Sequence, residues 1–198
     1  KLCKFQNEYA GYDFYKQVSI PDRAKSINEG ILNNINSIDA AISRGKKITF
    51  NYCDYNYKKE LVYRTYKDSQ DKKQYTVTPI GLILKEDHYY LVTTHNKYND
   101  LTNYRVDRMK DVIVLDEDGR SLKEIKGYED GKFNAAIYAK KNFKMFSGDD
   151  CEVVLRINKK LLNLVIDELG DDVKLHKIDD DTFQASFNAQ YGTGLTKW

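Results

Sequence analysis

The chain has few of the residues that mark disulfide-bonded or metal-binding proteins. Its 198 residues include three cysteines, three histidines, two prolines and one tryptophan. Cys3, Cys53 and Cys151 are too few and too widely spaced for a disulfide framework or a zinc site, so they predict a reducing, cytoplasmic location. No apolar run is long enough to cross a membrane, and the first residues lack the hydrophobic region of a signal peptide.

Signals for catalysis are equally scarce. His88, His95 and His176 are scattered, and none has a cysteine at metal-ligand spacing. The chain has no glycine-rich phosphate loop and no Gly-x-Ser-x-Gly nucleophile elbow. The sequence therefore predicts a protein that is not an enzyme and that needs no cofactor and no metal.

Tyrosine and charge are what the chain has in quantity. It contains 16 tyrosines, and 31% of its residues are charged, with a net charge of only +2. Residues 44–110 carry 14 Lys and Arg against 8 Asp and Glu, whereas residues 149–198 carry 6 against 10. A basic middle and an acidic end predict two units, of which the middle one faces an anion. Chance surface patterning is the simpler alternative.

Helical spacing is clearest just before the basic stretch. Residues 26–29, Ser-Ile-Asn-Glu, match a capping box, and isoleucines follow at positions 31, 35, 38 and 42. Gly45 predicts the C-terminal cap. Because Gly30 weakens the first turn, the helix begins either directly after the capping box or near Ser37.

Short strands dominate the region that follows. Alternating or apolar runs predict strands at residues 47–52, 62–66, 75–78, 82–84, 89–93, 101–106 and 112–115. Pro79 is predicted to end the third of these, and residues 85–88 are predicted to turn a hairpin. Many short strands with tight connections favour a small closed β-barrel that one helix leads into.

The pattern changes after a charged segment in which residues 133–146 are predicted to contain one helix. Residues 153–157 alternate as a strand, and a helix between Asn158 and Gly170 follows. Two more strands, at residues 173–175 and 183–187, flank an aspartate-rich turn. This β-α-β-β order is the first part of a split βαβ, ferredoxin-like unit, and a further helix and strand are expected after it.

The run Tyr104–Met109, Tyr-Arg-Val-Asp-Arg-Met, carries the strongest functional signal. Arg105 and Arg108 flank Asp107, and two guanidinium groups on one small sheet suit the capture of phosphate or another anion. A surface ion pair on an edge strand is the simpler alternative. In a regular strand Arg105 and Asp107 share one face and Arg108 lies on the other. The arginines therefore converge only if the strand bends or ends near Asp107.

Several stretches together resemble the WYL domain, a ligand-sensing module of bacterial transcription regulators. Residues 40–52 look like the family's helix-to-strand entry, and residues 75–82 like its proline corner. Tyr89-Tyr90-Leu91 occupies the place of the name-giving Trp-Tyr-Leu, with Tyr89 in place of Trp. Residues 104–109 resemble the signature arginine strand. The resemblance covers about residues 35–116, and residues 150–198 look like the family's C-terminal extension.

The resemblance implies an Sm-like or SH3-like barrel that senses an anionic ligand, either a nucleotide or single-stranded DNA. It also implies a homodimer that reaches promoter DNA through an N-terminal winged helix-turn-helix absent from this chain. Carried over to this sequence, Arg105 and Arg108 are the anion-binding residues, and Asp107 orients an arginine or holds a turn. Tyr52 and Thr78 are polar wall residues of the site.

The predicted organisation is a connector or helical segment over residues 1–36, a WYL-like barrel over 37–116, a linker over 117–148 and a C-terminal extension over 149–198. Two other functions stay open: a single-stranded nucleic-acid-binding accessory module of a helicase or nuclease, and a pure dimerisation scaffold. A winged helix at the N-terminus would favour the regulator, and a helicase or nuclease domain the accessory module. An exposed apolar face without a basic pocket would favour the scaffold.

Overall fold

The computed structural model describes residues 30–146 and 148–196. The chain is mixed α and β, mostly strands, with one six-stranded and one three-stranded sheet whose pairs are all antiparallel. This confirms the predicted fold class of mainly β with α. The predicted capping box at residues 26–29 lies outside the described residues. No helix in the described ranges has both the length and the apolar character needed to span a bilayer.

Helix α1 spans Ile31–Arg44, so it begins before Ser37 despite Gly30 at its N-cap. Its isoleucines face the first sheet, and Ile38 and Ala41 are completely buried there. Gly45 ends the helix in the left-handed conformation (φ 64°, ψ 30°), and its N–H bonds the last helical carbonyls. The predicted C-terminal cap is confirmed.

The six-stranded sheet follows the strands that the sequence predicts. Strand β1 lies at its centre, with β6 along one edge and β2 and β3 along the other, followed by β4 and β5. The bounds are β1 Lys46–Tyr55, β2 Leu61–Tyr63, β3 Gln74–Lys85, β4 His88–Thr94, β5 Leu101–Arg105 and β6 Met109–Asp118.

The prediction that Pro79 ends a strand is wrong, because β3 continues through it to Lys85. Residues 74–77 pair with β1, and residues 78–85 pair with β4. Proline has no N–H to donate, and here it lies at a register shift between Pro79 and Gly81. The strand thus changes partner at a point where a ladder bond is already lost. Glu86 and Asp87, both at positive φ, form the predicted hairpin turn into β4.

The two end strands of the sheet, β5 and β6, meet at a single 3-10 turn, Val106–Arg108. We call this junction the seam. The sheet curls far enough for its ends to be joined by three residues, but no ladder between β5 and β6 occurs in the described part of the chain. The strand pairing therefore leaves the predicted barrel open at the seam.

The segment expected to be a linker packs against the first sheet. After β6 it forms a 3-10 turn (Leu122–Glu124), helix α2 (Ala135–Lys141) and a second 3-10 turn (Phe143–Met145). Its buried side chains, Ile125, Tyr138 and Met145, make a second core with residues of β3, β4 and β5. The predicted helix over 133–146 is therefore shorter and broken. The segment predicted to be a linker therefore adds a second apolar layer to the first sheet.

The C-terminal unit has the β-α-β-β order that the sequence predicts. Strand β7 (Asp149–Asn158) is followed by α3 (Leu162–Leu169), β8 (Lys174–Lys177) and β9 (Thr182–Tyr191). The sheet order is β7-β9-β8, so β9 lies between the two strands that α3 connects. That is the arrangement of a split βαβ unit. A short helix α4 (Thr193–Thr196) follows.

Candidate anion-binding site

The seam places Arg105 at the last position of β5, where the strand ends as convergence of the arginines requires. Its backbone N–H donates to the Tyr52 hydroxyl at 3.0 Å, so β1 anchors the turn from inside the sheet. Tyr52 is 6% exposed. Burial raises the pKa of Tyr52, which stays protonated near neutral pH and can donate its own proton elsewhere.

Arg105 and Asp107 form a two-pronged ion pair across the turn. Nε of Arg105 donates to Oδ1 of Asp107 at 3.0 Å, and Nη2 donates to Oδ2 at 2.7 Å. The Asp107 side chain is 5% exposed, whereas that of Arg105 is 22% exposed. A bidentate carboxylate presents the same two-oxygen edge to a guanidinium as a phosphate does. Asp107 is thus an internal anion that orients the arginine.

His88, at the start of β4, is the third member of this cluster. Nη2 of Arg105 lies 3.1 Å from Nδ1 of His88. Because a guanidinium can only donate, Nδ1 must accept, so the imidazole is neutral with its proton on Nε2. Burial lowers the pKa of His88, and the charges of Arg105 and Arg108 lower it further. Sequence reasoning dismissed this histidine as isolated, since only the hairpin pairing brings it to β5.

Arg108 ends the 3-10 turn and carries an unpaired donor. Its guanidinium lies over the Tyr55 ring, 5.6 Å from the centroid. Its Nε is buried and has no hydrogen-bond partner within the described residues. A buried donor without an acceptor is costly, and an anion oxygen would satisfy it. Both arginines act electrostatically on His88 and on Tyr90, so the seam brings their charges to one place.

A third arginine, Arg64, flanks the cluster and was not anticipated. It follows β2 and pairs its N–H with the Tyr52 carbonyl at 2.9 Å. Its side chain makes two hydrogen bonds to Asp54, of 2.7 and 3.0 Å, and lies 4.9 Å from the Tyr52 ring centroid. The available signal was the β1–β2 hairpin, whose register sets residue 64 opposite residue 52.

Thr78 lies away from the arginines. It pairs with Thr94 on β4, whereas Arg105 pairs with Tyr90, four residues further along the same strand. That separation is roughly 13 Å at the rise of a β-strand. The Thr78 hydroxyl is buried and accepts the N–H of Arg120 at 2.9 Å. Of the five predicted site residues, the structure brings together Arg105, Asp107, Arg108 and Tyr52 but not Thr78.

The side chains of the Tyr89-Tyr90-Leu91 triplet pack mainly into the two cores. Leu91 is completely buried in the first core and Tyr89 packs against it, while Tyr90 packs against the second core. Within residues 30–146 and 148–196, no group of three or more His, Cys, Asp and Glu side chains is placed to hold a metal ion. The groups available at the seam are arginine cations, the buried carboxylate of Asp107, tyrosine rings and one neutral imidazole.

Comparison with known proteins gives this region a family. The family model of the WYL domain matches residues 56–114, which include β2 to β5 and the whole seam. The chain contains a WYL domain. The resemblance of the arginine strand and the proline corner is confirmed by this match, and both lie inside the matched WYL residues.

Among solved structures, the WYL-containing chain is similar to the Proteasome accessory factor B/C (PafBC) of Arthrobacter aurescens, at 16% sequence identity and a TM-score of 0.34. The similarity covers 86% of this chain and 22% of that one, so the present chain corresponds to under a quarter of its length. No curated protein matches the chain.

Proposed function

We propose that this chain is the ligand-sensing part of a bacterial transcription regulator and that its WYL domain binds an anionic ligand, a nucleotide or single-stranded nucleic acid, at the seam. The ligand would control DNA binding by an N-terminal winged helix-turn-helix outside these 198 residues. The observation that carries the proposal is the pairing of a bidentate Arg105–Asp107 unit with Arg108, whose buried Nε has no acceptor in the described structure.

The geometry favours an anion that first binds beside the Arg105–Asp107 pair and then competes with Asp107 for the guanidinium. Two nitrogens of Arg105 are already engaged by the carboxylate. The side-chain hydrogen bonds of Arg105 to Asp107 and His88 use its Nε and Nη2. A phosphate can therefore bind Nη1 and the Nε of Arg108 first. The seam is also where an Sm-like or SH3-like barrel would close, so a ligand there would bridge β5 and β6.

Arg105→Ala is the direct test of this site. Loss of a charge-assisted contact costs about 1.5–3 kcal/mol, so affinity for a short oligonucleotide or a nucleotide should fall roughly ten- to a hundredfold. Arg105→Lys should restore only part, since a point charge cannot replace the planar fork. Affinity is measured by fluorescence anisotropy, and it should fall steeply with added salt.

Lys174→Ala is the matched control, because it removes an exposed cation from β8 in the C-terminal unit. It should leave binding unchanged. Melting temperatures of all variants separate the two roles of Arg105. A large loss of thermal stability with unchanged affinity would make Arg105 a structural ion-pair residue and would end the ligand claim for it.

A specific observation favours a second candidate, a single-stranded nucleic-acid-binding accessory module. Five cations lie over tyrosine rings on and around β1 and β2: Lys58 on Tyr57, Arg64 on Tyr52, Lys72 on Tyr63, Lys73 on Tyr75 and Arg108 on Tyr55. An exposed ring among these can stack a base without reading sequence. Tyr57, 90% exposed, is free to do so.

Tyr57→Ala distinguishes the two candidates. An accessory module should lose about 1–3 kcal/mol of oligonucleotide affinity for a lost stacking ring. A sensor that binds one phosphate group at the seam should keep its affinity for both nucleotide and oligonucleotide. The two-unit organisation and the homodimer belong to the regulator proposal, and light scattering on the purified chain measures the second.

A further inference from the structure

We propose that His88 takes up a proton when an anion binds at the seam and then donates to that anion, so that the site binds its ligand more tightly at lower pH. This inference rests on the proposed function of the Arg105–Arg108 site and adds its regulation by pH. It assigns a ligand-contacting and specificity-determining role to a residue outside the matched arginine strand.

The starting point is the contact between Arg105 and His88 without ligand. Nη2 of Arg105 is shared between Oδ2 of Asp107 at 2.7 Å and Nδ1 of His88 at 3.1 Å. An arginine remains protonated at every physiological pH, so this contact exists only while Nδ1 of His88 carries no proton. Protonation of His88 would place two cationic donors face to face and break the contact.

The charged groups around His88 come from three elements. They are Arg105 at the end of β5, Asp107 and Arg108 in the 3-10 turn, and Asp87 in the β3–β4 turn. The two arginines oppose a positive charge on the imidazole, and the two aspartates favour it. Burial, the largest influence, also opposes the charge and lowers the pKa of His88 below its ordinary value. The ring is therefore neutral near pH 7 in the unliganded protein.

An anion at the seam changes this balance. Its charge offsets those of Arg105 and Arg108, and it competes for the Nη2 donor that holds the neutral imidazole. The imidazolium then gains an acceptor in the ligand in place of a repelling guanidinium. Binding is linked to uptake of up to one proton, so affinity must rise as pH falls through the range between the two pKa values of His88.

The linkage also bears on ligand choice. A protonated His88 beside two arginines makes three cations around one small volume, with Asp107 as the internal counter-charge. The site then favours a compact, multiply charged group such as a phosphate over a single carboxylate. At higher pH the same site holds two cations and an uncharged imidazole, which adds no positive charge to attract an anion.

The test measures binding of hexathymidylate without a terminal phosphate, because the remaining phosphodiester groups do not titrate between pH 5.5 and 7.5. The parent protein should bind this oligonucleotide about three- to tenfold more tightly at pH 5.5 than at pH 7.5. Such a change is within the tenfold per pH unit that uptake of one proton allows. His88→Gln keeps a polar side chain that cannot titrate, and its affinity should be independent of pH. His176→Gln, an exposed change on β8, is the matched control and should behave as the parent does.

The outcomes separate this inference from the function on which it rests. Binding that Arg105→Ala weakens but that is equal at both pH values would overturn the role of His88 and leave the arginine site standing. A pH dependence that survives in His88→Gln would do the same. Binding that Arg105→Ala does not weaken at either pH would overturn the site itself. Isothermal titration in two buffers of different ionisation enthalpy counts the protons taken up.

Discussion

The six-stranded sheet and the three-stranded sheet bury their apolar residues to different depths. In the first, large side chains such as Phe50, Leu91 and Met109 are completely inaccessible. In the second, the completely buried residues are small, chiefly Ala185, while Leu164 and Val154 stay more than half exposed. The difference shows where a rigid site can be built. The seam and its arginines lie on the six-stranded sheet, whose large core side chains are completely buried.

The two regions differ in charge as well as in packing. The seam gathers arginines, tyrosines and one buried aspartate, whereas the ion pairs of the C-terminal unit, such as Lys177 with Asp180, lie mostly in water. Buried charges in fixed positions can select a ligand, while exposed pairs contribute little to stability. Variants that change one region while the other stays intact test this comparison.

The largest expected effect separates the two cores. Phe50→Ala removes a fully buried ring that stacks on Tyr75 and meets Tyr104 edge-on. It should lower the free energy of unfolding by about 3–5 kcal/mol and abolish binding at the seam. Phe187→Ala, in the thinner core, should cost less and leave binding intact. Urea unfolding with a parallel binding assay measures both, and equal costs would refute the difference in core quality.

For two helix-ending glycines, the larger loss of stability is expected in the C-terminal unit and the smaller one beside the first sheet. Gly170, after α3, has φ 68° and ψ −155°, whereas Gly45, after α1, has φ 64° and ψ 30°. A methyl group at either would meet no atom within 4 Å, so the cost of alanine is that of the backbone alone. Gly170→Ala should cost about 2–3 kcal/mol, because its region is essentially closed to other residues. Gly45→Ala should cost about 1 kcal/mol. Thermal melts that rank them the other way would contradict this.

Aspartates of the two regions should respond unequally to neutralisation. Asp107→Asn leaves a half-buried guanidinium with a weaker acceptor and should destabilise the chain by about 1–3 kcal/mol. It should also raise affinity for an anion severalfold, since the internal competitor is lost. Asp172→Asn, in an exposed pair with Lys140, should change neither by more than about 0.5 kcal/mol. A loss of affinity in Asp107→Asn would show that Asp107 positions Arg105 instead of competing for it.

The smallest effect concerns pH and the first sheet. Burial, with a smaller contribution from Lys73, lowers the pKa of His95, whose Nε2 lies 3.0 Å from the Tyr104 hydroxyl. The unfolded chain therefore takes up a proton at higher pH than the folded one. The stability that neutral His95 contributes is fully present above about pH 6.5 and is lost as pH falls below it. His95→Gln should show a smaller loss between pH 7.5 and 5.5 than the parent. His176→Gln, on the second sheet, should match the parent.

Local pattern was enough to predict most elements and one half of the site. The isoleucines of α1, the hairpin at residues 85–88 and the β-α-β-β order all come from periodicity and turn residues that neighbours in sequence reveal. Arg105, Asp107 and Arg108 lie within four residues of one another, and their grouping needed only the end of β5 at the 3-10 turn.

What local pattern missed depended on partners far away in sequence. The missing N–H of proline predicts a strand end at Pro79, but the exchange of β1 for β4 as partner makes the missing bond harmless. The family resemblance implies that Thr78 lies with the arginines, but its partner on β4, Thr94, is four residues from Tyr90, the partner of Arg105. Nothing in the sequence around His88 predicts its place in the site, because the residue reaches Arg105 only through the pairing of β4 with β5.

The sequence by itself determined most of the helices and strands and which side of each is apolar, because these depend on side-chain order over a few residues. It also predicted the WYL resemblance, through the arginine strand and the proline corner, both of which lie within the matched residues 56–114. Only the tertiary structure decided that the residues after β6 form a second core, that the sheet stays open at the seam, and that a neutral histidine stands beside the arginines. Those outcomes arise from contacts between residues far apart in sequence, such as Arg105 with His88, 17 positions apart, and Lys85 with Asn142, 57 positions apart. No local pattern records the geometry of such contacts.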